Sequence, residues 1–390
     1  MTKKELGKSH LISSTTSFGI YIHVPFCIQK CTYCDFGSII DFTQVPSYIE
    51  ALLLEISSYP QNTPVDTIYI GGGTPSVLLP VQVEKILKTL QDHFQINKDC
   101  EITMEVNPIA SSKSYLTEIN HMGVNRLSIG VQSFTDEVLL FLGRPHSSQE
   151  AIDTIKKARS IFTNVGIDLI YGYPNHTIVD WKETLRKALE FSPNHISAYQ
   201  LTYALGTPLG QKKRDGKFQH LSEEKEAELF LTTHSVLENG NMLGYEVSNF
   251  SQKGYESKHN QKYWFRSPYW GFGPFAHSFE KNKRWWNGKN IAEYIERCKN
   301  KRSAQENSEI LSIKDVWMEI VTLRLRTKEG LNFAFLPDWA PKTVPALWED
   351  ICCYFEKEGL AKVEDNTIRL TQKGWCVADG IVRQLIELPI

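Results

Sequence analysis

Along roughly the first two hundred residues, hydrophobic and polar positions follow one repeating order: a short β-branched or aromatic run, then a longer amphipathic stretch. Six short runs, at 19–24, 67–70, 101–106, 126–131, 166–171 and 195–201, predict strands. Between them, 47–57, 81–93, 112–122, 148–161 and 179–190 carry apolar residues at helical spacing, the last entered through Thr177 as a cap. Such repetition builds a parallel sheet faced by helices, and six units suit a partial or closed (β/α) barrel better than a sandwich. In that architecture chemistry collects at the carboxyl ends of the strands, because the following loops share one face. The predicted ends are accordingly polar or glycine-rich: three cysteines after the first strand, Gly71-Gly72-Gly73-Thr74-Pro75 after the second, and Glu105, Gln132, Asp168 and Gln200 further on.

Beyond residue 205 the rhythm stops. Residues 206–308 form an aromatic-rich extension, with thirteen Phe, Tyr and Trp residues between Tyr245 and Trp286 in a chain that is 11% aromatic overall. After a Lys-, Asn- and Ser-rich stretch at 299–308 the composition shifts. The remainder, 309–390, predicts helices at 317–325 and 344–358, a hairpin of 360–363 and 367–370 turning at Glu364-Asp365-Asn366, and a last helix at 371–388. Helices followed by a short hairpin resemble a winged helix. This one lacks an arginine-rich recognition face, so it reads as a cover or docking module rather than a DNA reader.

Composition narrows the class. With 390 residues, and roughly 150 per domain, two to three domains are expected. The 43 basic residues nearly cancel the 45 acidic ones, leaving a net charge of −2 that draws neither nucleic acid nor an anionic membrane. No apolar run approaches the roughly 18 residues of a membrane span. Residues 1–18 read as a flexible lead-in, with Lys3, Lys4 and Lys8 but no apolar secretory segment. A cytoplasmic protein is expected, and in that reducing compartment closely spaced cysteines serve metals or catalysis rather than disulfides.

Three of the eight cysteines, Cys27, Cys31 and Cys34, form a C-x3-C-x2-C run. Thiolates are soft donors suited to zinc or iron–sulfur clusters. Three of them leave one iron of a four-iron cluster open to a small molecule; a zinc site completed by His23 or a distant cysteine is the alternative. Cys100, Cys298, Cys352, Cys353 and Cys376 are scattered and read as apolar fillers.

The cysteine run after a first strand, with Gly71-Gly72-Gly73-Thr74-Pro75 after a second, resembles the radical S-adenosylmethionine (SAM) proteins. The resemblance implies a partial (β/α)6 barrel, here followed by an α+β winged-helix-like module. It also implies a [4Fe-4S] cluster on Cys27, Cys31 and Cys34, whose open iron takes the amino and carboxylate groups of SAM and delivers the electron that cleaves SAM to a 5′-deoxyadenosyl radical. Carried onto this sequence, the family's SAM-lining positions are Tyr21, Tyr33, Gly72, Gly73, Thr74, Glu105, Gln132, Arg144 and Asp168. A carboxylate suits the SAM ammonium and Arg144 its carboxylate.

Three longer stretches, Tyr21-Ile22-His23-Val24-Pro25-Phe26-Cys27, 123–134 and Leu142-Gly143-Arg144-Pro145-His146, are similar to the oxygen-independent coproporphyrinogen III oxidases and their relatives. The decarboxylating members carry a further cysteine two positions past the third cluster ligand, where this chain has Phe36. It also has His259-Asn260-Gln261-Lys262-Tyr263-Trp264, matching the H-N-x-x-Y-W motif of the haem-chaperone branch. That branch implies haem as ligand and a haem-acceptor protein, such as a membrane respiratory enzyme, as partner; nucleic acid is not expected, and the oligomeric state is left open, a homodimer included. His259 is the candidate haem ligand, with His277 also available, while Tyr263, Trp264, Phe265, Tyr269, Trp270, Phe272 and Phe275 line the haem or close the barrel as core. The resemblance assigns no catalytic residue, and Phe36 weighs against coproporphyrinogen decarboxylation.

Overall fold

The computed structural model describes residues 17–337 and 339–387. The expected lead-in lies almost wholly outside the described residues, as does the end of the expected last helix.

Six parallel strands neighbour one another in chain order: β1 (Phe18–Val24), β2 (Pro64–Gly72), β3 (Gln95–Val106), β4 (Arg126–Gln132), β5 (Val165–Tyr171) and β6 (His195–Gln200). The crossovers are α1 (Val45–Ser57), α2 (Pro80–His93), α3 (Lys113–His121), the pair α4 (Asp136–Leu142) and α5 (Ser148–Arg159), and α6 (Ile178–Glu190). Helices begin where the sequence supplies caps: Ser112, Ser147 and Thr177 each accept from a first-turn backbone N–H. This is the α/β class that the alternation predicts.

One face of each strand is aliphatic and packs beneath the helices, as with Ile20, Ile22 and Val24 of β1 and Leu127, Ile129 and Val131 of β4, all in one continuous core. The other face, pointing into the lumen, is polar. Barrel interiors are commonly filled with branched aliphatics, so here the lumen has to satisfy itself by hydrogen bonds. Ser128 donates to both carboxylate oxygens of Asp168 at 3.0 Å, and Tyr69 donates to Glu105 at 2.8 Å.

The sheet continues past both edges of the six strands. On one side β7 (Leu243–Gly244) pairs with β8 (Asn249–Ser251), which lies antiparallel to β6. On the other, β9 (Tyr269–Phe272) runs parallel to β1, followed by antiparallel β10 (His277–Glu280), β11 (Lys283–Asn287) and β12 (Gln305–Ile310). Strand β12 begins within the Lys-, Asn- and Ser-rich stretch: it is a nearly all-exposed polar edge strand, so it carries no alternation to signal it. Trp270 and Phe272 of β9 pack against Tyr59 and Phe94 in the barrel core, which accounts for part of the aromatic density. Helices α7 (Pro208–Arg214), α8 (Glu223–Asn239), α9 (Lys258–Trp264) and α10 (Ile291–Lys299) fill the intervals.

The C-terminal module has its own core, built on α11 (Ile313–Arg324), α12 (Ala346–Lys357) and a three-stranded sheet of β13 (Leu331–Asn332), β14 (Ala361–Glu364) and β15 (Thr367–Leu370). The expected last helix is two, α13 (Gln372–Cys376) and α14 (Ala378–Glu387), because Val377 leaves helical geometry at φ −121°.

Candidate functional site

After β1 the chain turns through the cysteine loop, whose base is pinned by Cys27 N–H donating to Ile39 O at 2.9 Å and Ile39 N–H donating to Pro25 O at 2.8 Å. Cys27 and Cys31 are buried and Cys34 half-buried. Arg144 donates to Cys31 Sγ at 3.4 Å and the Thr74 hydroxyl to Cys27 Sγ at 3.6 Å. The glycine run lets the end of β2 slide under this loop. A Cβ on Gly73 would meet Phe26 O at 2.7 Å and Cys27 Sγ at 3.0 Å. Gly72 sits at φ +112°, where its Cβ would strike the His23 ring at 2.8 Å.

Burial pushes the Cys34 thiol up to about 11, so it carries a proton at neutral pH until a metal displaces it. Among the described residues no three His, Cys, Asp or Glu side chains converge on a single-ion site. A four-iron cluster takes its thiolates on separate irons. Three soft donors on one loop, with N–H and O–H groups directed at two of the sulfurs, fit such a cluster.

The positions implied for SAM come from the inward faces of β1 to β5 and the loops that follow them. Glu105 receives the Tyr69 hydroxyl on one oxygen and Gly72 N–H, at 3.2 Å, on the other. Burial raises its pKa to about 7, against the pull of those two donors. Gln132 ends β4 at a register shift, with a left-handed backbone of φ 66° that costs a non-glycine residue of order 1 kcal/mol or more. Its amide nitrogen and Arg144 Nη2 both lie 3.1 Å from where a Cβ of Gly130 would be. Arg144 also donates to Gly130 O at 2.8 Å and hydrogen-bonds Tyr33. Asp168 is held by Ser128 and Ser197, and Tyr21 donates to Nδ1 of His23 at 3.0 Å, His23 Nε2 being committed to Gly37 O at 2.8 Å.

The H-N-x-x-Y-W element lies elsewhere. His259 begins α9 under the amino ends of β1 and β2, where it meets Thr67 and the Cβ position of Gly19. Gly72 lies five residue steps along β2 from Thr67, a rise of about 17 Å toward the cysteine loop. His259 is fully buried, with Nδ1 bonded to Thr67 Oγ1 at 2.9 Å and Nε2 to the Tyr263 hydroxyl at 2.9 Å. Burial lowers its pKa to about 3, so the ring is neutral: one nitrogen donates, the other accepts, and neither is open to iron in this conformation. In this conformation His259 is a hydrogen-bonded histidine of the core, so haem ligation there requires one of these bonds to open. His277 is exposed beside Trp286, and Phe36 stands 62% exposed on the cysteine loop.

Sequence reasoning passed over Thr67, Tyr69, Glu101 and Arg126, all on lumen-facing positions. The signal was present: polar residues at every second position of strands whose other face is aliphatic.

A partial barrel with three thiolates on the loop after its first strand defines a radical SAM protein, and the Radical SAM superfamily model matches residues 21–188. More narrowly, the chain belongs to the family of the heme chaperone HemW. It is 32% identical over 382 residues to Heme chaperone HemW of Mycobacterium tuberculosis, covering 95% of each chain. To that of Lactococcus lactis it is 34% identical over 368 residues, covering 94% of this chain and 96% of the relative. Among solved structures it matches Coproporphyrinogen III oxidase (HemN) from Escherichia coli, a radical SAM enzyme, with a TM-score of 0.79 and 25% identity over 94% of this chain and 89% of that one.

Proposed function

We propose that the protein is a cytoplasmic haem chaperone that binds haem and delivers it to haem-dependent proteins such as respiratory enzymes. The observation that carries this reading is the near full-length likeness to the heme chaperones HemW, together with the H-N-x-x-Y-W element. Among the described residues no helix is long and apolar enough to cross a membrane.

Cys27, Cys31 and Cys34 would hold a [4Fe-4S] cluster, with Glu105 accepting the SAM ammonium, Arg144 pairing with its carboxylate, and Tyr21, Tyr33, Gly72, Gly73, Thr74, Gln132 and Asp168 completing the pocket. When bound, the cluster and SAM supply one-electron chemistry at the open iron. The protein's part is positional: Arg144 and Thr74 orient sulfurs, and the glycine turn brings backbone amides close to the ligand.

Haem contact at His259 requires one of its two hydrogen bonds to open, and the bond to Tyr263 is the one within the same short helix. Haem titration followed by absorbance tests this. Tyr263→Phe, which frees Nε2, is expected to tighten binding, and His259→Ala to abolish the ligand-specific spectrum. Unchanged binding and spectrum in His259→Ala would remove the histidine from the haem site. The likeness to Coproporphyrinogen III oxidase favours a second reading, oxidative decarboxylation to protoporphyrinogen, against which Phe36 stands. Anaerobic incubation with SAM, reductant and coproporphyrinogen separates the two, and efficient turnover would overturn the chaperone reading.

A further inference from the structure

Strand β2 presents Thr67, Tyr69 and Gly71 to the lumen in succession, and these three steps span the distance between the α9 histidine and the glycine turn. Thr67 bonds His259 at the lower end. At the middle position the Tyr69 hydroxyl donates to Glu105 at 2.8 Å, while its ring lies 5.3 Å from the imidazole of His259, tilted by 30°. The other oxygen of Glu105 takes Gly72 N–H. Above, a Cβ on Gly71 would come within 2.9 Å of Tyr69 Cε1 and 3.0 Å of Glu105 Cδ, so only glycine at this position leaves room for the phenol and the carboxylate to meet. A single rigid side chain therefore touches both the carboxylate assigned to the SAM ammonium and the histidine assigned to haem.

We infer that Tyr69 is a positioning residue that couples the two sites, so that SAM at Glu105 and ligand at His259 each alter the other's affinity. The inference rests on the ligand assignments proposed above. An ammonium against Glu105 fixes that carboxylate as an anion, and a hydrogen bond to an ionised acceptor is shorter and about twice as strong as one to a neutral group. The phenol is then drawn toward the glycine turn. Because its ring is inflexible, that motion is felt at the imidazole it packs against. The groups acting electrostatically on the Tyr69 hydroxyl are Glu105, Asp168, Arg126 and Tyr199, and Tyr21 packs on its ring at 6.2 Å. The coupling passes through one contact at each end and needs no longer path, and by linkage it is the same in both directions.

The test is a double-mutant cycle read on SAM affinity, by equilibrium dialysis of the cluster-reconstituted protein. Tyr69→Phe removes the hydroxyl and keeps the ring; His259→Gln alters the far end without touching Glu105. Because the two rings touch, packing alone can make stability effects non-additive, so the melting temperatures of the four proteins are read beside SAM affinity; coupling makes the double variant's SAM affinity differ from the product of the singles by about fivefold, beyond any non-additivity in stability. A parallel haem titration with and without SAM is expected to show a shift of similar size in the wild type that Tyr69→Phe removes. An additive SAM cycle overturns the coupling whether or not haem binds. A non-additive cycle in a protein that takes up no haem keeps the coupling and discards the haem assignment instead.

Discussion

Glu105 is a residue whose chemistry is strongly altered by its surroundings. Burial lifts its pKa to about 7 from an ordinary 4.5, although Tyr69 and Gly72 donate to it. The folded state therefore holds a proton that the unfolded chain releases above about pH 4.5. The stability this contributes is fully present below that pH and is lost as pH rises through 7, by about 3 kcal/mol at pH 8. Before SAM is added, the wild-type melting temperature is expected to fall between pH 5 and 8. Glu105→Gln, which keeps an acceptor for Tyr69 and cannot titrate, should fall less over the same range. Parallel pH profiles for the two proteins would show that Glu105 is ionised throughout. Mechanistically, the same balance leaves the carboxylate half-charged near neutrality, ready to take its full charge when a cation arrives.

At the scale of elements, α9 is the one whose placement matters most, and it has little stability of its own. Seven residues form no stable helix alone. It is held by the barrel: Glu101 of β3 accepts from the N–H groups of Lys258, at 3.2 Å, and His259, at 3.0 Å, and Lys262 pairs with Asp66 of β2 at 2.7 Å. Glu101→Ala leaves the buried His259 N–H and the more exposed Lys258 N–H without an acceptor, a cost of about 1–3 kcal/mol. Hydrogen–deuterium exchange is expected to quicken across 257–265 while β1 to β6 stay protected, and unchanged exchange there would show that Glu101 does not hold the helix. The legibility of elements follows the same physics. The six parallel strands could be read because one aliphatic face recurs at every second residue. Helix α9, like β7 and β12, is too short or too polar to carry a period, and its motif was visible only through family resemblance. The cysteine loop was legible from spacing alone, whereas the pairing of Tyr69 with Glu105 depends on a strand register that the sequence does not state.

At the scale of the whole molecule, the described contacts that fasten the C-terminal module lie beside α9. Glu319 of α11 receives both Arg266, at 2.9 Å just past α9, and Arg284 of β11. Arg324 lies 4.2 Å over Phe265 and Arg266 lies 4.9 Å over Phe279, a β10 residue that belongs to the module's core. Trp375 donates to Leu325 O at 3.0 Å inside the module and packs 5.4 Å from His234 of α8 outside it. The module thus braces the end of the barrel at which His259 is buried, which suits a cover over the proposed haem element. Glu319→Ala leaves two guanidinium groups without their shared partner. Because both are partly exposed, the cost is about 1–3 kcal/mol, and it falls on the interface rather than on either core. Thermal unfolding followed by tryptophan fluorescence is expected to separate into two steps, with Trp317, Trp348 and Trp375 reporting the earlier loss of the module. A single transition at the wild-type temperature would mean that the apolar contacts around Phe279 and Trp375 join the two parts without help from the ion pairs.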